Sequence, residues 1–410
     1  MWTQPVVQPR YDSACFSLIP TLLRAALTDG RFPLLEQLGW NTPFQKVVFF
    51  YIDAFGWHQF APRADAYPAL RRFLDHGHAA RWTSQFPSTT AAHVTTMFTG
   101  EEVGQHGVYE WFYYEPTVDI VITPLMFTIA GSKEPEKLQA VGADPARIIP
   151  QESWLEEEAI AHIPIYVFQN RLFAHSTYSK AMTHDARVIP FRTLSQALTT
   201  LRLMLETHQG PGLYYVYYEA LDAIAHEHGP QSPHMEAEVD TFLRVFERQF
   251  FARLDRKVRD TLIVLSADHG MMAVDPKTTL YVNQHPLFKD LRPLLRRNAR
   301  GALIAPAGSP RDMFFYVQPG REEEAREILA RITEGRADVV LTHALIEQGY
   351  FGSLPVSERF LARVGDIVVL PYTQESVWWY EKDKFEQKQY GHHGGLSPEE
   401  MEIPLLLLPL

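Results

Sequence analysis

The sequence predicts an α/β fold: a mainly parallel sheet sandwiched by helices, with a smaller α+β cap insertion. Three observations carry this reading. Short apolar runs rich in β-branched and aromatic residues, such as KVVFFYI from Lys46 and TLIVLS from Thr261, read as strands buried on both faces. Amphipathic helical stretches alternate with them, the order that builds parallel sheets. Several strands also end on acidic residues, at the carboxyl edge where such sheets bind ligands.

Residues 1–44 read as a mostly helical lead-in, and Lys46–Ile52 follows as a strand ending on Asp53. Pro68 opens a helix to about Gly77 with Leu70, Phe73 and Leu74 inward. In FPSTTAAHVTTMFTG, from Phe86, Pro87 and the hydroxyls of Ser88, Thr89 and Thr90 mark a helix start and Gly100 its stop. Residues 104–130 are aromatic-rich. An amphipathic helix is expected over Trp154–Ile163, and a strand in IPIYVF, ending at Phe168. Thr193 caps a helix with Leu194, Leu198, Leu201 and Leu205 on one face. GLYYVYYEALD from Gly212 is strand-like and ends in acidic residues. Ser232-Pro233 opens a long helix bearing Val239, Phe242, Phe246 and Phe250. The rhythm then breaks. DMFFYV, the helical REEEAREILARI and ADVVL define an insertion over 276–385, leaving 1–275 and 386–410 as the core.

The chain has 410 residues, a formal net charge of −11 and no basic run, which argues against a nucleic acid polymer as partner. Its single cysteine, Cys15, excludes an intramolecular disulfide framework and suits a reducing compartment. The N-terminus shows no apolar stretch behind basic residues, and the C-terminal IPLLLLPL is too short to span a bilayer. A cytoplasmic protein that does not enter a membrane is the expectation. Its oligomeric state is not legible.

Chemistry-bearing residues gather at strand ends and in one late loop. Asp53 follows the first strand; Asp222 and His226 are four apart in EALDAIAHEHGP; Asp268 and His269 follow TLIVLSA; His392 and His393 stand in YGHHGGLS. Each has a plain structural reading alone, as cap, turn former or surface pair. Together they form carboxylate and imidazole donor sets without thiolate, which suit zinc, with manganese as the alternative. Such residues exceed what one four-coordinate ion uses, so two divalent metal ions are expected. A hydroxyl at the start of the helix following Pro87 sits where a phosphoryl group binds well.

These motifs, in this order from about Lys46 to the C-terminus, resemble the type I phosphodiesterase/nucleotide pyrophosphatase branch of the alkaline phosphatase superfamily. DAIAHEHGP and ADHGM carry the resemblance most specifically, beside PSTTA and the late HGG. It implies an alkaline phosphatase-like core and a threonine nucleophile. By position, Thr90 matches that nucleophile and bridges toward a metal. Asp222, His226 and His393 match one metal site, and Asp53, Asp268 and His269 the other. His393 is preferred to His392 because the family's ligand directly precedes the glycine. Thr90 is preferred to Thr89 by its spacing to Thr99-Gly100.

Where the family usually carries an Asn after the nucleophile segment's His-Gly, HGVYEW offers Glu110 and Trp111. A carboxylate there repels phosphate unless it is protonated or turned away. His93 also replaces a usual Asn. Glu110, Trp111 and Tyr114 are the candidate substrate contacts, the aromatics either stacking a leaving group or packing in the core. The function implied is hydrolysis of small phosphodiesters or nucleotide pyrophosphates. The alternatives are a monoesterase or phosphonate hydrolase of the superfamily, or a metal-stabilised binding protein without activity.

Overall fold

A continuous apolar run can form a strand only where both faces are covered, and every residue of Lys46–Ile52 is buried. The computed structural model describes residues 2–410. Its central sheet has seven strands in the order His78–Thr83, Glu402–Pro409, Thr261–Ser266, Lys46–Ile52, Gly212–Tyr218, Ile165–Asn170, Arg187–Phe191. The strands from Thr261–Ser266 to Arg187–Phe191 are mutually parallel. Glu402–Pro409 runs antiparallel to both its neighbours. The C-terminal apolar run is thus an interior strand of the sheet, with Ile403 and Leu405 through Leu407 fully buried. The fold is the expected mixed α/β one, with helices on the sheet's faces.

The helix Pro68–His76 begins on its proline, as expected, but Leu74 is exposed while Leu70 and Phe73 are buried. Thr193 accepts from Gln196 N–H and caps Leu194–Thr207. Among residues 2–44, helical structure is confined to Phe16–Thr28 and Pro33–Gln37. The helix expected over Trp154–Ile163 is a single turn, Trp154–Glu156. Its apolar spacing serves pinned contacts instead: the Trp154 indole donates to the Met97 carbonyl at 2.8 Å, and Glu157 turns away from helical geometry at ψ 139°. A strand not expected, Arg187–Phe191, contains Pro190 and lies at the sheet edge, where a missing N–H costs least.

Residues 113–129 make a small three-stranded sheet. A four-stranded antiparallel sheet follows, in the order Ala307–Ser309, Asp312–Phe315, Ile367–Pro371, Ala337–Leu341. The helix Glu322–Ile332 packs against it through Ala325, Leu329 and Ile332. These elements surround a second apolar core containing Met313, Phe315, Val369 and Trp378. We propose 276–385 as the extent of this cap. Among the described residues no helix is long and apolar enough to cross a membrane.

Candidate active site

Strand register sets the site. Ile52 pairs with Tyr218 and Tyr51 with Ser266, so the chain leaves these three strands at one level. Asp53 and Asp268 stand just past two of those ends, buried. After the third, the chain turns into the helix Ala220–His228, which places Asp222 and His226 one turn apart on one face. Thr90 opens the helix Thr90–Thr99, closed by Gly100 in the left-handed region at φ 75°.

The expected residues come together. Thr90 Oγ1 lies 3.2 Å from His269 Nε2 and 3.5 Å from Asp53 Oδ2. His269 Nε2 is 3.3 Å from Asp268 Oδ2 and 3.5 Å from Asp53 Oδ1. Across the cleft, Asp222 Oδ1 lies 3.4 Å from His226 Nε2 and 3.6 Å from His393 Nε2. The two imidazole nitrogens, His226 Nε2 and His393 Nε2, are 3.2 Å apart. His269 stacks on His393 with ring centroids 3.6 Å apart and links the two groups.

The donor set fits divalent cations. His269, His226 and His393 each direct Nδ1 at a backbone carbonyl, those of Gly270, Gly391 and Ser88, at 2.9, 2.7 and 2.9 Å. A carbonyl only accepts, so Nδ1 carries the proton and each Nε2 lone pair turns inward. Two lone pairs 3.2 Å apart cannot satisfy each other; a cation can. Asp53 Oδ1 and Asp222 Oδ1 are likewise buried without a hydrogen-bond partner. Burial, then the charges of Asp268 and Asp222, push the Asp53 carboxyl well above its ordinary range. Burial raises Asp222 to about 6 against the opposing pull of His226. Burial, foremost, holds His269 and His393 neutral. Tyr217 Oη donates to Asp53 at 2.5 Å and Tyr51 Oη to Asp268 at 2.8 Å, fixing both carboxyls.

Residues that sequence reasoning passed over build the frame. Ser88, one of the three hydroxyls before the helix, staples the nucleophile segment to the late loop: its Oγ donates to Gly395 O at 2.8 Å and accepts from Gly394 N–H at 3.1 Å. Gly394 has φ 124°, and a Cβ there would lie 2.4 Å from Asp312 Oδ1, so that position requires glycine. His93 holds the backbone ahead of the nucleophile. Gln85 N–H donates to its Nε2 at 3.0 Å, so its Nδ1–H donates to Thr89 O at 2.7 Å and holds the turn before Thr90.

The cap contributes Arg311, whose guanidinium binds both Glu400 oxygens at 3.1 and 2.9 Å and the carbonyls of Tyr372 and Glu375. Glu400 in turn accepts from Gly395 N–H at 3.0 Å. Both side chains are at most 1 % exposed. Arg311→Met therefore leaves a buried carboxylate unpaired and should cost about 3–5 kcal/mol, read as a lower thermal midpoint. A shift under about 1 kcal/mol would show that Glu400 needs no cation.

Two hollows flank Thr90. One, of about 360 Å³, runs past Asp222, His226 and His393 to Trp378 and Phe385 of the cap. The other, of about 260 Å³, is walled by Val94, Phe98, Leu125, Met126 and Phe173, together with Asp53 and Tyr217. Trp111 borders both, and Glu110 lines the first. Tyr114 is not brought to either: its hydroxyl donates to Asp119 at 2.6 Å and its ring lies under Arg296. Tyr114 lies in the strand Tyr113–Glu115, paired with Ile120–Thr123, whereas Trp111 lies in the loop before it.

Residues 47–396 match the sequence profile of the family described as type I phosphodiesterase/nucleotide pyrophosphatase. No individually curated protein matches the chain in sequence. Solved structures share the fold. Human ectonucleotide pyrophosphatase/phosphodiesterase 5 superposes with a TM-score of 0.61 at 16 % identity, over 89 % of this chain and 88 % of that one. The murine protein in complex with AMP, described as an inactive threonine-to-alanine variant, gives 0.57 at 16 % identity, over 88 % and 87 %. Phosphonoacetate hydrolase from Sinorhizobium meliloti in complex with phosphonoacetate gives 0.60 at 18 % identity, over 89 % and 90 %.

Proposed function

Because the chain belongs to the type I phosphodiesterase/nucleotide pyrophosphatase family, and is thereby a phosphoric ester hydrolase, we propose that it cleaves small phosphodiesters or nucleotide pyrophosphates through Thr90. The observation that carries this reading is the Thr90 hydroxyl at a helix N-terminus, 3.2 Å from His269 Nε2, between two hollows that can each take one substituent of phosphorus. The inactive threonine-to-alanine variant of the murine neighbour supports a threonine nucleophile.

Thr90 Oγ1 attacks phosphorus in line, so the P–O bond to the threonine forms as the ester bond opposite it breaks. His269 Nε2 at 3.2 Å and Asp53 Oδ2 at 3.5 Å are the two acceptors in reach of the Thr90 hydroxyl proton as its oxygen attacks. The N–H groups of Thr90 and Ala91 precede the first helical hydrogen bond, donated by His93 N–H to Thr89 O, and so remain free to face a phosphoryl oxygen. Asp53, Asp268 and His269 would hold one divalent ion, and Asp222, His226 and His393 the other. Zinc, with manganese as the alternative, would lower the pKa of the attacking oxygen and stabilise the departing one. Water then breaks the phosphothreonine. A cytoplasmic setting belongs to the same reading and is supported by the single, buried cysteine.

A monoester dianion would want an extra cation beside phosphorus. Arg311 is committed to Glu400, and among the described residues the Lys or Arg lining either hollow is Lys384, half-exposed and ion-paired to Glu381. The apolar hollow suits a second ester substituent instead. Aryl diesters should therefore show kcat/KM at least about tenfold above the matching monoesters, the scale of one well-filled apolar contact. Side-by-side kinetics with matched leaving groups tests this. A monoester or phosphonate preference would assign the chain to the superfamily's other chemistries.

A further inference from the structure

Two buried acceptors lining the apolar hollow beside Thr90 have no donor. Gln169 is the penultimate residue of the strand Ile165–Asn170, and Glu219 directly follows Gly212–Tyr218, its parallel neighbour. Both stand at the carboxyl edge of the sheet that also carries Asp53, and both line this hollow. Tyr215, Tyr217 and Glu219 reach it together because side chains alternate along a strand. Gln169 is 5 % exposed, yet its Oε1 is without a hydrogen-bond partner. Glu219 Oε1 accepts from Asn170 Nδ2 at 2.6 Å, which orients the carboxyl group, while Oε2 is buried and likewise unpartnered. Burial pushes this carboxyl up, opposed by its own backbone N–H and by the Asn170 amide. A buried oxygen without a donor costs stability, so two of them lining one hollow mark a place where a ligand brings hydrogens.

The other lining residues suit a flat ring. Phe98 and Tyr215 lie with ring centroids 5.3 Å apart and Phe173 and Tyr217 6.0 Å apart, beside Leu125 and Met126. An apolar cavity of about 150 Å³ holds benzene, so about 260 Å³ admits a substituted or fused ring. A ring filling this space displaces water from the two acceptors and must itself bring their hydrogens. An amino group on the ring brings two N–H donors, one for each acceptor, and its lone pair is drawn into the ring. A hydroxyl brings one donor, and a methyl or a carbonyl brings none. Thr90 lies beside His269 and Asp53, so the oxygen opposite it departs toward His226 and His393, which line the larger hollow. The apolar hollow thus holds the substituent that stays on phosphorus.

Resting on the hydrolase reading above, we infer that Gln169 and Glu219 make the apolar hollow select, as the substituent retained on phosphorus, an aromatic ring bearing an amino group, be it a small arylamine or an aminated nucleobase.

Diesters with a constant 4-nitrophenyl leaving group test this at alkaline pH, where the carboxyl is ionised and the arylamine neutral. One pair carries 3-aminobenzyl against 3-methylbenzyl, the other adenosine against inosine, whose base has a carbonyl in place of the amino group. Wild-type chain should cleave the amino member with kcat/KM about tenfold above its partner. Preference in the benzyl pair alone assigns a small arylamine, and in the nucleoside pair alone a nucleobase. Gln169→Met removes one acceptor, and Glu219→Gln turns an N–H into the hollow in place of the other. Each should lower the ratio to about threefold or less, and the double variant should bring it near unity. No preference in either pair overturns the inference, as does a folded double variant that keeps the full ratio. Should the double variant not fold, the wild-type ratios still decide. Calorimetric binding of 3-aminobenzylphosphonate against 3-methylbenzylphosphonate reads the same preference without turnover. Preferential binding of the amine with hydrolysis of no ester would sink the hydrolase reading and leave the selectivity of the hollow standing.

Discussion

Thr90→Ala should lower kcat by at least about a thousandfold, equivalent to roughly 4 kcal/mol or more of lost transition-state stabilisation, while the protein stays folded. The reason is local. Thr90 Oγ1 is the hydroxyl within 3.5 Å of both His269 and Asp53, and removing it leaves no protein oxygen to form the first P–O bond. The methyl left behind fits a helix N1 position without strain, because Thr89 at the N-cap makes no side-chain capping bond that the change could disturb. Thr89→Ala, made beside it, should be far milder. Reversal of the two effects would move the nucleophile back by one residue. Phosphate trapped on the threonine at low pH, absent in Thr90→Ala, is the direct check.

How much of this was legible in the sequence depends on whether a residue's role is set by its own strand or by a distant one. Asp53 and Asp268 could be read because an apolar run that ends on an acid must deliver it to the sheet's carboxyl edge. Asp222 and His226 could be read because a spacing of four needs only a helix to become a shared face. The C-terminal strand escaped: IPLLLLPL reads as apolar without saying that it inserts antiparallel beside Thr261–Ser266. Tyr51 and Tyr217 escaped too, since nothing within KVVFFYI or GLYYVYY tells which hydroxyl turns toward a carboxyl. Glu110 stood out as a misfit beside phosphate; the structure buries it, and burial pushes its carboxyl up to about 8, a setting made by residues distant in sequence. Tyr114 was grouped with Trp111 by composition, but Tyr114 belongs to the small sheet and Trp111 to the loop that enters it.

Removing the metal should abolish hydrolysis and also loosen the fold, and the second effect has a predictable pH dependence. Two donor sets imply two divalent ions per chain, measurable by elemental analysis; a stoichiometry of one would break the two-metal assignment. Without them Asp53, Asp222 and Asp268 remain buried together, and the pKa values of Asp53 and Asp222 are raised, mainly by burial. A carboxyl whose folded pKa exceeds its unfolded value stabilises the protein only while protonated. That contribution is full below about pH 4, the unfolded range, and is lost as pH rises through the folded value, about 6 for Asp222. These carboxyls should therefore lower the stability of the chelated protein between about pH 4 and 7, against the opposite contribution of His269 and His393, which burial keeps neutral and whose cost fades as pH rises through the unfolded imidazole range. In the metal-loaded protein they should not, because the ions need these carboxylates ionised. At one hundred times its dissociation constant each ion adds about 2.7 kcal/mol. Thermal midpoints of chelated and zinc-loaded protein should thus lie close together near about pH 5 and diverge by several degrees near about pH 7. Activity should return with zinc or manganese. A gap that narrows toward neutral pH, or activity indifferent to the chelator, would show that these carboxylates and imidazoles hold no metal.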